Sequence, residues 1–173
     1  MAITQDPFSA GAPNAANECV FRCGNPRQLH DDCLMPRVRI GEEGVCLLLT
    51  PDVDFVSRPP EVVVAELELQ GLRASVRVVT NYATGFSDLV DFFGGLAADW
   101  RGWTGVRRWE SIEGDLRIDA LHKYGHVQLR VTLRRSQADW GNDGWSAIGD
   151  LTVEPGEQLT QIAEDVKRLS DGA

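Results

Sequence analysis

Between Glu61 and Val78 apolar and charged side chains alternate with a period of two, and that spacing constrains the backbone more tightly than anything else in the sequence. Val63, Ala65, Leu67 and Leu69 fall on one side of an extended chain, with Glu66 and Glu68 on the other. After Gly71, Leu72, Ala74, Val76 and Val78 share a side, with Arg73, Ser75 and Arg77 opposite. A helix would scatter these residues around its axis, whereas a half-buried strand sorts them into one dry and one wet face. Two such runs joined at Gln70-Gly71 predict an antiparallel hairpin. Its outer face sets glutamates against arginines, as cross-strand pairing favours.

The same signal recurs along the chain. Arg37–Ile40 and the apolar run Val45–Thr50 flank the turn-like Gly41-Glu42-Glu43-Gly44 and predict a second hairpin with one well-buried strand. Leu116, Ile118 and Ala120 alternate on one side of Lys123-Tyr124-Gly125, and Val127, Leu129, Val131 and Leu133 on the other. Trp145, Ala147, Gly149, Leu151 and Val153 predict a last strand. Shorter strands are expected at Trp109–Glu113 and around Cys19-Val20-Phe21. Two stretches change period. Phe86, Leu89, Val90, Phe93, Leu96, Ala97 and Trp100 keep the spacing of one helical stripe, with Thr84 or Ser87 available as cap. Gly94-Gly95 inside that helix implies close packing on the sheet or a kink. Leu159, Ile162, Ala163, Val166 and Leu169 form the second stripe, behind Pro155. The expected fold class is α+β: a mostly antiparallel sheet of about six to eight strands, with helices at about 86–100 and 155–169 packed on one face. Trp100 and Trp145 belong to its core. The other face should be polar and wet, carrying Glu66, Glu68, Arg73, Arg77, Arg117, Asp119, Arg130, Thr132 and Arg134.

Charge narrows the function. With 26 Asp and Glu against 17 Lys and Arg the chain carries a net charge of −9, which argues against nucleic-acid binding. Lys123 and Lys167 are its only lysines. Many of the arginines fall on the outward sheet positions, so that face should be mixed or locally positive even though the whole chain is acidic. No run is long and apolar enough for a membrane helix, and residues 1–20 lack the charged and apolar regions of a secretory signal. The expected location is cytoplasmic. Residues 1–17, rich in Ala, Gly, Pro and Asn, are expected to form a flexible tail, and 18–173 a single domain.

Few residues suggest chemistry. Cys19, Cys23, His30 and Cys33 bring three thiols and an imidazole within fifteen residues, a set able to hold a structural zinc, although the spacing departs from paired C-x2-C ligands. The bland alternative is an ordinary strand followed by a surface loop. His122 and His126 bracket a turn and could share a metal, or simply be polar residues beside it. Glu110, Glu113 and Asp115 could serve as acid and base in a pocket, or form a solvated edge. Nucleophile-elbow, phosphate-loop, H-E-x-x-H and dinucleotide motifs are absent, so no catalytic residue is assigned. Trp103, Arg107, Arg108 and Trp109 form an aromatic–arginine cluster of the kind that anchors interfaces, with Trp140 in an acidic loop as a further contact. Burial of Trp103 and Trp109 beneath the helix end is the competing reading.

Asp99-Trp100-Arg101-Gly102-Trp103, Arg108-Trp109-Glu110-Ser111, Leu116-Arg117-Ile118, Gly125-His126-Val127-Gln128-Leu129 and Glu154-Pro155-Gly156-Glu157-Gln158-Leu159, with Arg22-Cys23-Gly24-Asn25-Pro26 near the start, resemble a family of small actinobacterial proteins classed as a domain of unknown function. The resemblance covers roughly residues 18–170 and implies no catalytic residues. The arginine-to-lysine bias fits the GC-rich genomes such a source would have. A looser similarity, in class alone, is to immunity proteins of bacterial toxin systems, which are small, acidic, cytoplasmic α+β domains. The expected function is therefore a non-enzymatic protein-binding module of immunity type. The alternatives are a small-molecule binder or enzyme with a cavity between sheet and helices, and a zinc-stabilised domain.

Overall fold

The computed structural model describes residues 36–55, 57–135 and 144–172, all within one compact unit, Leu34–Ala173. The expectations for the tail and for a first strand at Cys19-Val20-Phe21 lie outside the described residues. Eight strands and two helices follow in the order β1 (Val38–Glu42), β2 (Val45–Pro51), β3 (Val62–Leu69), β4 (Leu72–Val79), α1 (Ser87–Ala98), β5 (Val106–Glu110), β6 (Leu116–Lys123), β7 (His126–Arg135), β8 (Trp145–Val153) and α2 (Glu157–Asp171).

The fold is α+β and antiparallel throughout, and the strands divide into two four-stranded sheets. β1-β2-β3-β4 form the first and β5-β6-β7-β8 the second, each in simple sequence order. Helix α1 separates the two meanders in the chain. Two-residue connections join β1 to β2, β3 to β4 and β6 to β7, and each strand pairs with its predecessor even where the connection is longer, as over residues 52–61. The β3–β4 hairpin has the expected register, with Glu68 opposite Arg73 and Leu69 opposite Leu72 across Gln70-Gly71. Gly71 takes a φ of +80°, which a two-residue turn of this kind requires and a side-chain-bearing residue resists.

Both sheets turn their apolar rows into one core. Leu47, Leu49, Val63, Ala65, Leu67 and Val78 enter from the first, and Leu116, Ile118, Leu129, Val131, Leu133 and Leu151 from the second. Strand β8 lies against β1 and β3, and β7 against β3 and β4, so the second sheet runs across the first. Gly149 makes that approach possible. A Cβ there would come within 2.7 Å of Leu69 Cδ1 and 3.1 Å of Leu67 Cδ2. The helices pack on each other, with α2 against β1 and α1 against β5. Their buried stripes are Leu89, Phe93 and Leu96, and Leu159, Ile162, Val166 and Leu169.

Several local expectations change. Neither Thr84 nor Ser87 caps α1 with its hydroxyl: Phe86 stands at the N-cap, and its carbonyl accepts from Val90 N–H at 3.0 Å. The helix ends at Ala98, so Trp100 leaves the stripe and is 42% exposed, with the Arg101 guanidinium over its ring. Trp145 is half-buried against the core. Gly94 faces open space, with nothing within 4 Å of a Cβ built on it, so close packing on the sheet is not why it is there. Helix α2 starts two residues after Pro155, at Glu157, and closes on Gly172 in the left-handed conformation.

Two substitutions check this account. Gly94→Ala should raise stability by about 0.5–1 kcal/mol, because the helix loses an entropic penalty and the methyl group meets nothing. Gly149→Val should lower it by about 1–3 kcal/mol, because the side chain must displace the packed Leu67 and Leu69. Denaturant unfolding of both variants measures the two effects.

Candidate functional site: the outer face of the second sheet

The strands of the second sheet bury every other residue, and the intervening ones form an outer face on which the register lines side chains up in rows. One row runs through all four strands as Arg108, Asp119, Arg130 and Asp150. Charge alternates along it, so each carboxylate has a guanidinium neighbour. Arg108 Nε donates to Asp119 Oδ1 at 2.5 Å. Arg130 holds Asp150 with both ends of its fork, Nε to Oδ1 at 2.7 Å and Nη2 to Oδ2 at 3.0 Å. Asp119, mostly shielded, also has Arg117 Nε 3.2 Å from its Oδ2, at ion-pair distance without hydrogen-bond alignment. These contacts polarise the row. Hydrogen bonding to Arg130 holds the Asp150 carboxyl below the usual carboxylate range, against a smaller opposing effect of burial. The hydrogen bonds that Arg108 and Arg130 donate to Asp119 and Asp150 in turn raise their own guanidinium values.

The rows on either side are mixed. One consists of Val106, Leu121, Gln128 and Thr152, the other of Glu110, Arg117, Thr132 and Ile148. Val106 and Ile148 are 59% and 58% exposed, large apolar side chains standing beside the charged row. A shallow depression of about 360 Å3 lies over Val106, Arg108, Asp119, Leu121, Gln128 and Arg130. Arg108, Arg117, Lys123, Arg130 and Arg134 stand against Glu110, Asp119, Asp150 and Glu154 here, so the face is narrowly positive on a chain of net charge −9. One expected wet residue is not wet. Thr132 is 1% exposed, and its Oγ1 has no hydrogen-bond partner among the described residues.

The aromatic–arginine cluster is divided between the two sides of this sheet. Trp109, 7% exposed, faces the core opposite Ile118. Trp103 is half-buried against the core, its ring 5.4 Å from that of His122 and 4.8 Å from the Arg107 guanidinium. Arg107 donates to the Gly95 carbonyl at 3.2 Å and to Asp99 Oδ2 at 2.5 Å, closing the C-terminal end of α1, where a cation complements the helix dipole. Of the four, Arg108 alone points to the outer face. Trp140 and the zinc set Cys19, Cys23, His30 and Cys33 lie outside the described residues. The paired histidines also part. His122 pairs with Val127 on the inner side, whereas His126 lies on the outer side, its Nδ1 2.9 Å from Glu154 Oε1.

The carboxylates Glu113 and Asp115 sit in the turn between β5 and β6, which Ser111 organises: its carbonyl accepts from Gly114 N–H, its N–H donates to the Leu116 carbonyl, and its Oγ accepts from Leu116 N–H. They wall a second groove, about 660 Å3, whose other lining residues are Val64, Ser75, Val76, Arg77 and Arg135. Burial, reinforced by the Glu113 charge, pushes the Asp115 carboxyl up. Neither depression takes a lining residue from a helix, unlike the sheet–helix cavity expected of a ligand binder.

Asp150, Gln128 and Ile148 were not singled out by sequence reasoning as site residues. The alternation of Ser146, Ile148, Asp150 and Thr152 places them outward, but only the register shows that Asp150 completes the row begun by Arg108.

A domain of two crossed antiparallel meanders, with a paired-charge face and no assembled catalytic group among the described residues, is thus the class of protein that the fold defines. The chain belongs to a family of unknown function, DUF6228, whose family model matches residues 39–173. No curated protein matches it. Among the described residues no helix is long and apolar enough to cross a membrane.

Asp115 offers a pH test of the geometry. A carboxyl whose folded value lies above its unfolded value weakens the fold when ionised, and stability recovers as pH falls through the folded value. Asp115→Asn should therefore raise the melting temperature near pH 7, and the gain should vanish by about pH 3, where the native carboxyl is protonated in both states. Thermal unfolding of the two proteins at both pH values measures it.

Proposed function

We propose that the chain is a non-enzymatic, cytoplasmic protein-binding module of immunity type, and that its contact surface is the outer face of the second sheet. The observation that carries this reading is the charged row Arg108–Asp119–Arg130–Asp150 with exposed Val106 and Ile148 beside it. Arginine next to apolar side chains is the composition that interface centres favour. The ion pairs within the row hold the arginines in place before a partner arrives, which lowers the entropy lost on association. Rigid strands also position side chains more sharply than loops do. Charge makes the reading specific. A locally positive face calls for an acid-weighted patch on the partner, even though the whole chain would attract a basic one at long range.

A small-molecule site is the second reading, favoured by the 660 Å3 groove and by the raised Asp115 carboxyl at its wall. The two readings place the functional residues on different surfaces, so variants separate them.

Ile148→Asp and Arg130→Glu alter the proposed surface and leave the core and the groove intact. With a toxin encoded beside this gene, the native chain should form a complex and protect cells expressing that toxin. Each variant should weaken the complex by about tenfold or more, the equivalent of about 1.4 kcal/mol. Its melting temperature should stay within about 2–4 °C of native. Full protection by the Ile148→Asp/Arg130→Glu double variant would remove this face from the function.

A further inference from the structure

Strand β4 is the last strand of the first sheet, and among the described residues it pairs only with β3. In an antiparallel pair, residues whose N–H and C=O face the partner alternate with residues whose groups face away. Leu69 and Leu72 close a two-residue turn and so form a bonded pair. The phase persists to the far end, where Thr80 N–H donates to the Glu61 carbonyl at 2.9 Å. Arg73, Ser75 and Arg77 therefore direct their backbone groups outward. Among the described residues no strand pairs along that edge, although β7 lies against part of β4. Arg73, Ser75 and Arg77 are all exposed, and the 660 Å3 groove runs beside Ser75, Val76 and Arg77.

The side chains on the same stretch specify what fits. Arg73, Ser75 and Arg77 form the outer row of β4, with Glu68, Glu66 and Val64 opposite on β3. Arg73 bonds Glu66, Nε to Oε1 at 2.5 Å, and Arg77 contacts Asp52 and Asp54 at 2.6 and 2.5 Å. Both arginine side chains nevertheless stay more than half exposed. A second copy of this chain fits poorly. An antiparallel β4–β4 pair centred on Ser75 would place each Arg73 opposite the copy's Arg77, like charges directly across. A strand with carboxylates at the two flanking positions and a small residue between them fits. Glu113 and Asp115, at the groove wall, would repel carboxylates placed further out and so limit the acidic positions to those two.

We propose that β4 takes up an acidic extended peptide of a partner protein by strand addition, with carboxylates facing Arg73 and Arg77 and a small side chain facing Ser75. Main-chain bonds to the outward N–H and C=O groups supply the affinity, and the two arginines supply the selection. This surface lies on the other sheet from the face proposed above, so each can fail without the other.

The probe is the synthetic peptide acetyl-Thr-Glu-Val-Ser-Val-Glu-Thr-amide, with a twin in which lysine replaces both glutamates. Full-length chain is titrated with each, and amide hydrogen exchange is followed at Arg73, Ser75 and Arg77. The glutamate peptide should slow exchange at these amides by about tenfold or more, and the lysine peptide should not. Ser75→Pro removes an outward N–H without touching a β3 bond, so it should abolish binding while the chain stays folded. Arg73→Glu should weaken the glutamate peptide by about tenfold and admit the lysine peptide. Four results would overturn the proposal: unchanged exchange at saturating peptide, equal binding of both peptides, these amides already protected in the free chain, or dimerisation through β4.

Discussion

Two sheets share one core, and everything else in this domain is arranged around that sharing. Leu67 of β3 and Gly149 of β8 mark where the inner faces meet, and any side chain in place of the glycine would have to displace the ends of Leu67 and Leu69. Once the inner rows are committed to the core, period-two geometry leaves no freedom for the remainder: the intervening residues must stand on the outside. The charged rows of both sheets are thus a consequence of burial on their reverse sides. A register slip of one residue would drive Asp119 and Arg130 into the core and expose Ile118 and Leu129.

What the outer faces then do with their charges differs. On the second sheet arginine and aspartate alternate across four strands, and the pairs are made within the chain. On the first sheet Arg73 and Arg77 lie at an edge, where half of their surroundings is water. Surface ion pairs of this kind contribute little to stability. Their value lies in ordering side chains and in selecting what comes near. The net charge of −9 therefore describes long-range encounter, whereas the local sign of each face describes contact.

Much of this was legible in the sequence. The β3–β4 hairpin, the β6–β7 hairpin and both helices follow from periodicity, because the apolar stripe of a strand or helix is written directly into residue spacing. The candidate site was legible only in part. Arg117, Asp119 and Arg130 were placed on a polar face, but Asp150 and Ile148 were not chosen, since the residues opposite one another on four strands depend on register across turns. The tryptophans misled more. Trp100 belongs to the helical stripe by spacing, yet the helix ends at Ala98 and the ring turns outward. Trp103 and Arg107 look like an anchor in one dimension, and in three they pack and close the end of α1.

The sequence alone determined which residues are apolar on which period, and hence the inward faces of β3, β4, β6, β7 and β8, most of both helical stripes, and the two-residue turn at Gln70-Gly71. Tertiary structure decided that the strands form two sheets rather than one, because only packing shows that β4 does not pair with β5 and that Gly149 lets β8 cross β3. It also decided that Arg108, Asp119, Arg130 and Asp150 stand in one row. The reason is physical: alternation is a local property of each strand, whereas sheet division and cross-strand alignment are set by contacts between residues far apart in the chain.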